Sequence, residues 1–214
     1  MRVYQRFKRI FEFIASLIGV IILMPIFFLL GMWIKLSSKG PIIYKHPRVG
    51  LFGNEFTIYK FRSMVVGARD KQKKGVSTEK LITAPGRFMR RTFFDEFLQL
   101  FNILKGDIGL IGPRPMDVEY FDGIVKKDPD YKNLLSVRPG LTSLESIIDY
   151  LPKGEQKRFE EHFEGLVKKD KFKDFEHHRY ALDSYYIKHE SLILDIKIIF
   201  YTFILMLRRL FSKK

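Results

Sequence analysis

The sequence predicts an α+β fold that is mostly α-helical. It consists of an N-terminal re-entrant membrane helix with a proline break, a small β-hairpin, and amphipathic interfacial helices around a cytoplasmic domain. Three observations predict it: an apolar run near the N-terminus, an extended pattern around residues 42–61, and a second apolar stretch close to the C-terminus. The natural division is 1–36 for the membrane helix and 37–214 for the domain, the latter including an interfacial C-terminal helix over 188–211. A chain of 214 residues can build one ordinary core without covalent staples.

Ile10 to Ile34 is apolar apart from Glu12. As one straight helix it would be about 37 Å long, against about 30 Å for the hydrocarbon layer. Pro25 falls inside the run, where it deletes a helix hydrogen bond and crowds the preceding turn. Divided there, the arms are about 22 Å and 13 Å, and neither spans alone. The leading flank carries Arg2, Arg6, Lys8 and Arg9; the trailing flank carries Lys35, Lys39, Lys45 and Arg48; neither contains an acid. A spanning helix should have one basic, cytoplasmic flank, so two basic flanks predict entry and exit on one face. A kinked spanning helix is the alternative. A secretory signal fits less well, because no A-x-A-like site follows.

Next, Ile42-Ile43-Tyr44 and Glu55 to Phe61 read as strands joined by a turn over Arg48 to Asn54. Residues 69–80 read as a polar loop. Gly86 to Leu104, Ile124 to Leu135 and Glu155 to Lys173 read as helices. Around the last apolar stretch, Leu192 to Phe211, the polar residues Lys188 and Ser191 just before it and Asp195, Thr202 and Arg209 within it fall on one helical face, as expected of an interfacial helix. An ordinary buried helix is the alternative there. Lys197 lies nearly opposite Asp195, where its long stem can snorkel, and Arg208, Arg209, Lys213 and Lys214 would suit anionic headgroups.

Composition narrows the function. There is no cysteine, which excludes disulfide frameworks and thiol catalysis. With 38 basic and 24 acidic side chains the net charge is +14, which suits nucleic acid, an anionic membrane or simply a solvated surface. No nucleic-acid module is recognisable, and two lipid-seeking segments argue for membrane. His46, His162, His177, His178 and His189 show no paired ligand spacing, so no zinc site is expected.

The chemistry-bearing residues lie mid-chain. Asp95 and Glu96 are adjacent acids among Phe93, Phe94, Phe97 and Leu98, surroundings in which carboxylates need partners. Arg91 lies at i−4 from Asp95, and a surface salt bridge is the bland reading. Gly106 to Pro115 then forms a glycine- and proline-punctuated loop. The two prolines flanking Arg114 restrict the backbone that presents its guanidinium, a fork that matches phosphate oxygens.

The run DE-x-x-QL-x-N-x-LKGD-x-x-x-x-GPRP, preceded by Arg90-Arg91, resembles the signature of the small monotopic phosphoglycosyl transferases of bacterial glycan assembly. Arg48-Val49-Gly50, Lys60-Phe61-Arg62-Ser63-Met64, Arg138-Pro139-Gly140-Leu141-Thr142 and Asp183-Ser184-Tyr185-Tyr186 match in order, so the resemblance covers nearly the whole chain. It implies transfer of a phosphosugar from a UDP-sugar to a polyprenol phosphate such as undecaprenyl phosphate, with release of UMP. Asp95 would be the nucleophile of a covalent intermediate and a ligand of Mg²⁺ (or Mn²⁺), and Glu96 would orient groups or handle protons. Lys60, Arg62, Arg90, Arg114, Arg138 and Asp183 are the expected substrate-binding residues. The implied setting is the cytoplasmic face of a bacterial inner membrane, at the initiating step of glycoconjugate or exopolysaccharide assembly, with downstream glycosyltransferases as further partners. The competing function class is a non-catalytic basic membrane-surface or scaffold protein.

Three positions depart from the family pattern. Met24 stands where a serine usually precedes the membrane proline, which removes one support for a kink. Leu98 stands where a proline usually follows the dyad, so a straighter helix is expected around Asp95. Ser143 replaces a glycine after the RPGLT run, which is expected to shift that loop.

Overall fold

The computed structural model describes residues 3–152, 154–156, 159 and 175–211, without the side chains of 149, 150 and 175–178. Most of the expected helix at 155–173, His162, the side chains of His177 and His178, Arg2, Lys213 and Lys214 lie outside the described residues. Helix α1 spans Val3–Ser37. It is helical throughout, so the expected division into two arms at Pro25 is not seen. Packing explains this: Val20, Leu23, Ile26 and Phe27, on both sides of Pro25, rest on one core. That continuous contact holds the helix across the hydrogen bond that proline removes. Among the described residues it is the one helix long and apolar enough to cross a membrane.

The hairpin is as expected but longer. Strand β1 (Ile43–Val49) pairs antiparallel with β2 (Glu55–Phe61), with Ile43 opposite Phe61 and Val49 opposite Glu55. The turn is tighter than the expected 48–54 and holds Phe52 at a φ of 57°. The loop expected at 69–80 instead contains short helices α2 (Ala68–Lys73) and α3 (Thr78–Leu81).

The single helix expected over 86–104 is three pieces. Helix α4 (Ala84–Thr92) is capped by Thr83, whose side chain accepts from the Gly86 N–H. Phe93 then adopts a left-handed φ of 60°, Phe94–Glu96 form a 3₁₀ turn, and α5 (Gln99–Lys105) resumes. The chain therefore bends even without a proline at position 98; Leu98 is buried in the core. A non-glycine residue in this conformation is strained by about 1–3 kcal/mol. Here the strain is offset by aromatic packing of Phe94 on Phe88 and Phe97, and by the Arg209 guanidinium 4.8 Å from the Phe93 ring.

Strand β3 (Gly109–Ile111) pairs in parallel with β4 (Gly140–Thr142). This small sheet has no sequence signature of its own, and it joins the GPRP loop to the RPGLT run. Glycine is required where they cross: a Cβ on Gly140 would fall 2.1 Å from the Gly112 nitrogen, and one on Gly112 would fall 2.4 Å from the Arg138 carbonyl oxygen. Helix α6 (Val118–Lys127) and a 3₁₀ stretch at Pro129–Ser136 replace the expected helix at 124–135. Helix α7 (Leu144–Tyr150) begins at Ser143, whose side chain accepts from the Ser146 N–H; the serine that replaces glycine is thus a helix cap. Helices α8 (Phe175–His189) and α9 (Leu192–Phe211) complete the described fold.

The described core has three parts, one of them gathering Phe121, Ile124, Tyr131 and Leu134 against Val49. Another joins α1, α4, α5 and the hairpin around Ile34, Met89, Ile103 and Ile108. The third joins α7, α8 and α9 around Leu144, Ile147, Tyr186 and Ile198. Helix α9 turns its polar stripe inward: Asp195 is buried, and Thr202 bonds Thr142 at 2.7 Å. Its outward face carries Ile193, Ile196, Phe200 and Phe203, each more than half exposed. Helix α1 likewise exposes Phe11, Ile18, Ile21, Ile22 and Phe28. Arg208 pairs with Glu155 at 2.6 Å while remaining exposed, and Arg209 lies over the Phe93 ring.

Candidate active site

The bend at Phe93 directs Asp95 and Glu96 into an open cleft of about 1090 Å³. Lys60, Arg62, Arg90 and Arg114 line it with them, so six of the eight residues singled out in the sequence share one cavity. Arg138 and Asp183 do not line it.

Glu96 is firmly held. Lys60 Nζ lies 2.6 Å from its Oε1, and an Arg114 amino nitrogen lies 3.7 Å from the same oxygen. Burial would raise the Glu96 carboxyl, but Lys60, Arg114 and a bond from Gln99 outweigh it, and the group stays below its ordinary value. Asp95 differs. Among the described residues no side chain pairs with its carboxylate. Burial and, second, the neighbouring Glu96 charge push it up to about 6, against the opposing pull of Lys60 and Arg90. Adjacent acids with opposite shifts are a recurrent sign of divided roles.

The supporting groups come from several elements. Lys60 stands at the end of β2, which is tied to α5 by Asn102: its side chain accepts from the Tyr59 N–H at 3.0 Å and donates to the Thr57 carbonyl at 2.7 Å. Arg90 Nε donates to Ser63 Oγ at 3.0 Å. Ser63 is itself pressed against α4, since a Cβ on Gly86 would lie 1.9 Å from its carbonyl oxygen. Arg114 donates to Ser146 Oγ at 3.1 Å, and its carbonyl accepts from Arg179 at 3.2 Å. The last carbonyls of α5 are capped by Arg9, on Ile103 and Leu104, while Arg138 Nε donates to Gly106 O at 2.9 Å.

Two of the expected substrate-binding residues also hold backbone. Arg62 donates to the Ser38 and Lys39 carbonyls and fastens the exit of α1. Arg138 closes the α5 terminus. Asp183 is 1% exposed and stands behind the site: burial and then Glu145 raise its carboxyl well above the usual range, while Arg179 and Arg114 oppose them. Arg91, which i−4 spacing would pair with Asp95, reaches the Arg209 and Leu210 carbonyls at the end of α9, because α4 stops at Thr92.

The sequence reading passed over several neighbours. Gln99 was visible in the DE-x-x-QL run. Ser146, Glu145 and Arg179 had no local signal, because they reach the site only through packing of α7 and α8. His46 lines the cleft beyond Lys60; its Nε2 lies 3.1 Å from Asp117 Oδ2, which Arg69 also meets at 2.7 Å.

Among the described residues no group of three histidine or acidic side chains encloses a metal. The single unpaired carboxylate of Asp95 suits Mg²⁺, which commonly takes one or two carboxylates and completes its shell with substrate phosphates and water.

An undecaprenyl-phosphate galactose phosphotransferase of Salmonella typhimurium is 34% identical over 94% of this chain and 40% of its own length. A UDP-glucose:undecaprenyl-phosphate glucose-1-phosphate transferase of Klebsiella pneumoniae is 34% identical over 92% of this chain and 39% of its own. An uncharacterized sugar transferase of Bacillus subtilis is 32% identical over 90% of this chain and 83% of its own. The chain thus spans about two fifths of the length of the first two relatives. The family described as bacterial sugar transferase matches residues 3–209, and the chain belongs to it.

Proposed function

We propose that the protein transfers a phosphosugar from a UDP-sugar to a polyprenol phosphate, as the relatives' names describe for undecaprenyl phosphate. The observation that carries this reading is the contrast within the dyad: Asp95 is half-buried and unpaired in a cationic cleft, while Glu96 is anchored. A non-catalytic scaffold has no use for an unpartnered carboxylate in such a place.

An oxygen of ionised Asp95 attacks the phosphorus that bears the sugar. The bond to the UMP oxygen breaks and UMP leaves with the electron pair, leaving an aspartyl phosphosugar. An oxygen of the polyprenol phosphate then attacks the same phosphorus. The aspartyl oxygen leaves, the carboxylate is restored, and a sugar-bearing polyprenyl diphosphate results for glycosyltransferases to extend. Arg90 and Arg114 offset the charge of the diphosphate. Glu96, kept anionic by Lys60, orients Lys60 and Arg114 and is poorly suited to take a proton. Mg²⁺, held by Asp95 and substrate phosphates, supplies charge neutralisation when bound.

We further propose a monotopic seat on the cytoplasmic face of the membrane. Both ends of α1 are tied to the same domain: Tyr4 donates to Asp195 at 2.6 Å, and Arg62 holds Ser38 and Lys39. Such a helix lies along the domain, and its exposed apolar side, with that of α9, suits lipid. A cysteine placed near residue 3 should label only from the cytoplasmic side; periplasmic labelling would establish a spanning helix.

Intact-protein mass spectrometry tests the reaction. UDP-sugar and Mg²⁺, without acceptor, should release UMP and add one phosphosugar to the protein. Absence of that increment while the complete reaction runs would instead favour direct transfer in a ternary complex.

A further inference from the structure

A second cavity, of about 280 Å³, shares Phe93, Glu96 and Arg114 with the cleft. It is about twice the ~150 Å³ of an apolar cavity that admits benzene. Its walls are mainly Phe97, Leu110, Ile147, Ile199, Phe203 and Met206. The hydroxyls that reach it are already satisfied. Thr142 and Thr202 bond each other at 2.7 Å, and Ser146 bonds Ser143 at 2.9 Å and Arg114 at 3.1 Å. The chamber thus offers an occupant dispersion and little hydrogen bonding.

Its two ends differ in chemistry. Ile199 and Phe203, 41% and 56% exposed, belong to the outward apolar face of α9. At the other end stand Arg114 and the Lys60–Glu96 pair. A molecule fitting both has an apolar chain entering beside α9 and an anionic head reaching the dyad.

We infer that this chamber is the acceptor subsite: it holds the first isoprenoid units of the prenyl phosphate and delivers its phosphate to Arg114 beside Asp95. The inference rests on the transfer reaction proposed above. It assigns donor and acceptor to opposite sides of the dyad, so the acceptor enters from the membrane side while the cleft receives the nucleotide. At the junction Glu96 is held by Lys60 at 2.6 Å and by Arg114 at 3.7 Å, so the cations there outnumber the Glu96 charge and favour an incoming phosphate.

Two measurements test this. In the first, Met206→Trp and Ile199→Trp fill the chamber. Each is assayed with UDP-glucose, UDP-galactose and UDP-N-acetylgalactosamine, using farnesyl phosphate as acceptor. The KM for farnesyl phosphate should rise on the order of tenfold, a change of about 1.4 kcal/mol, while the acceptor-free UMP burst persists. An unchanged acceptor KM would overturn the assignment. Absence of the burst from the wild-type protein would count against the covalent mechanism and leave the subsite to the second measurement.

In the second, a benzophenone-bearing farnesyl phosphate is photolysed with the wild-type protein in detergent, with and without excess farnesyl phosphate. Competed label on the peptides containing Ile147 or Ile199 to Met206 supports the subsite independently of turnover and of variant folding. Label confined to the exposed face of α1, or not competed, overturns it.

Discussion

Two of the charged clusters in the interior are built oppositely. At the base of α1 and α9, Lys8 pairs with Asp195 at 3.0 Å and Glu190 at 3.3 Å, and donates to the Ile111 carbonyl at 2.9 Å and to the Tyr186 hydroxyl. Asp195 also accepts from Tyr4 and Tyr186, at 2.6 and 2.8 Å. Around the dyad, by contrast, Glu96 is satisfied and Asp95 is not. A buried ionic group is tolerable when every charge has a partner and costly when one lacks it. The saturated cluster fastens a helix, and the unsaturated one has reactivity to offer.

Asp95→Asn should show the largest effect. Turnover and acceptor-free UMP release should fall by at least ~10⁴-fold, the scale seen when a central catalytic group is removed. The same variant should be more stable in metal-free buffer. A carboxyl raised to about 6 in the folded protein favours folding when protonated, and that contribution is lost as pH rises through 6. Removing the charge should therefore add about 1–3 kcal/mol at pH 7.5, with the gain vanishing below about pH 4. Denaturant titration at both pH values measures it. In the wild type with Mg²⁺, the rate of UMP release should fall on acidification as Asp95 protonates, at a pH below 6 because the cation favours the carboxylate.

The saturated cluster should respond in the opposite sense. Lys8→Met leaves Asp195 and Glu190 without their cation and should destabilise the fold by about 3–5 kcal/mol. Equal stability of Lys8→Met and wild type would dissolve the contrast between the clusters.

Arg114→Lys replaces a fork by a point charge. Loss of a charge-assisted bond worth ~1.5–3 kcal/mol should lower kcat/KM about tenfold or more. Wild-type kinetics would make the loop merely structural.

The smallest effect is expected at Glu12, whose Oε1 accepts the Leu110 N–H at 2.8 Å and so holds β3, the strand leading to Arg114. Glu12→Ala should cost about 1–3 kcal/mol of stability. Glu12→Gln keeps an acceptor and should cost less. Thermal unfolding of the two variants side by side measures the difference.

What was legible in the sequence was local. The hairpin, the acidic pair, Lys60, Arg90 and the proline-flanked Arg114 are specified by neighbours within a few residues, and all are found where that pattern implies. The polar stripe of α9 was legible as a stripe, because helical period alone fixes which residues share a face. Its direction was not: only the partners Thr142, Tyr4 and Tyr186 turn Thr202 and Asp195 inward and leave the apolar side outside. The same holds for Arg62 and Arg138, expected to bind substrate, and Arg91, at salt-bridge spacing from Asp95: each is bonded to carbonyls that only the folded chain brings near. The left-handed Phe93, the β3–β4 pair and the unpaired state of Asp95 likewise arise from long-range packing. Sequence by itself determined which chemistry was available; the tertiary structure decided which charges are satisfied, because a partner tens of residues away leaves no trace in local composition or period.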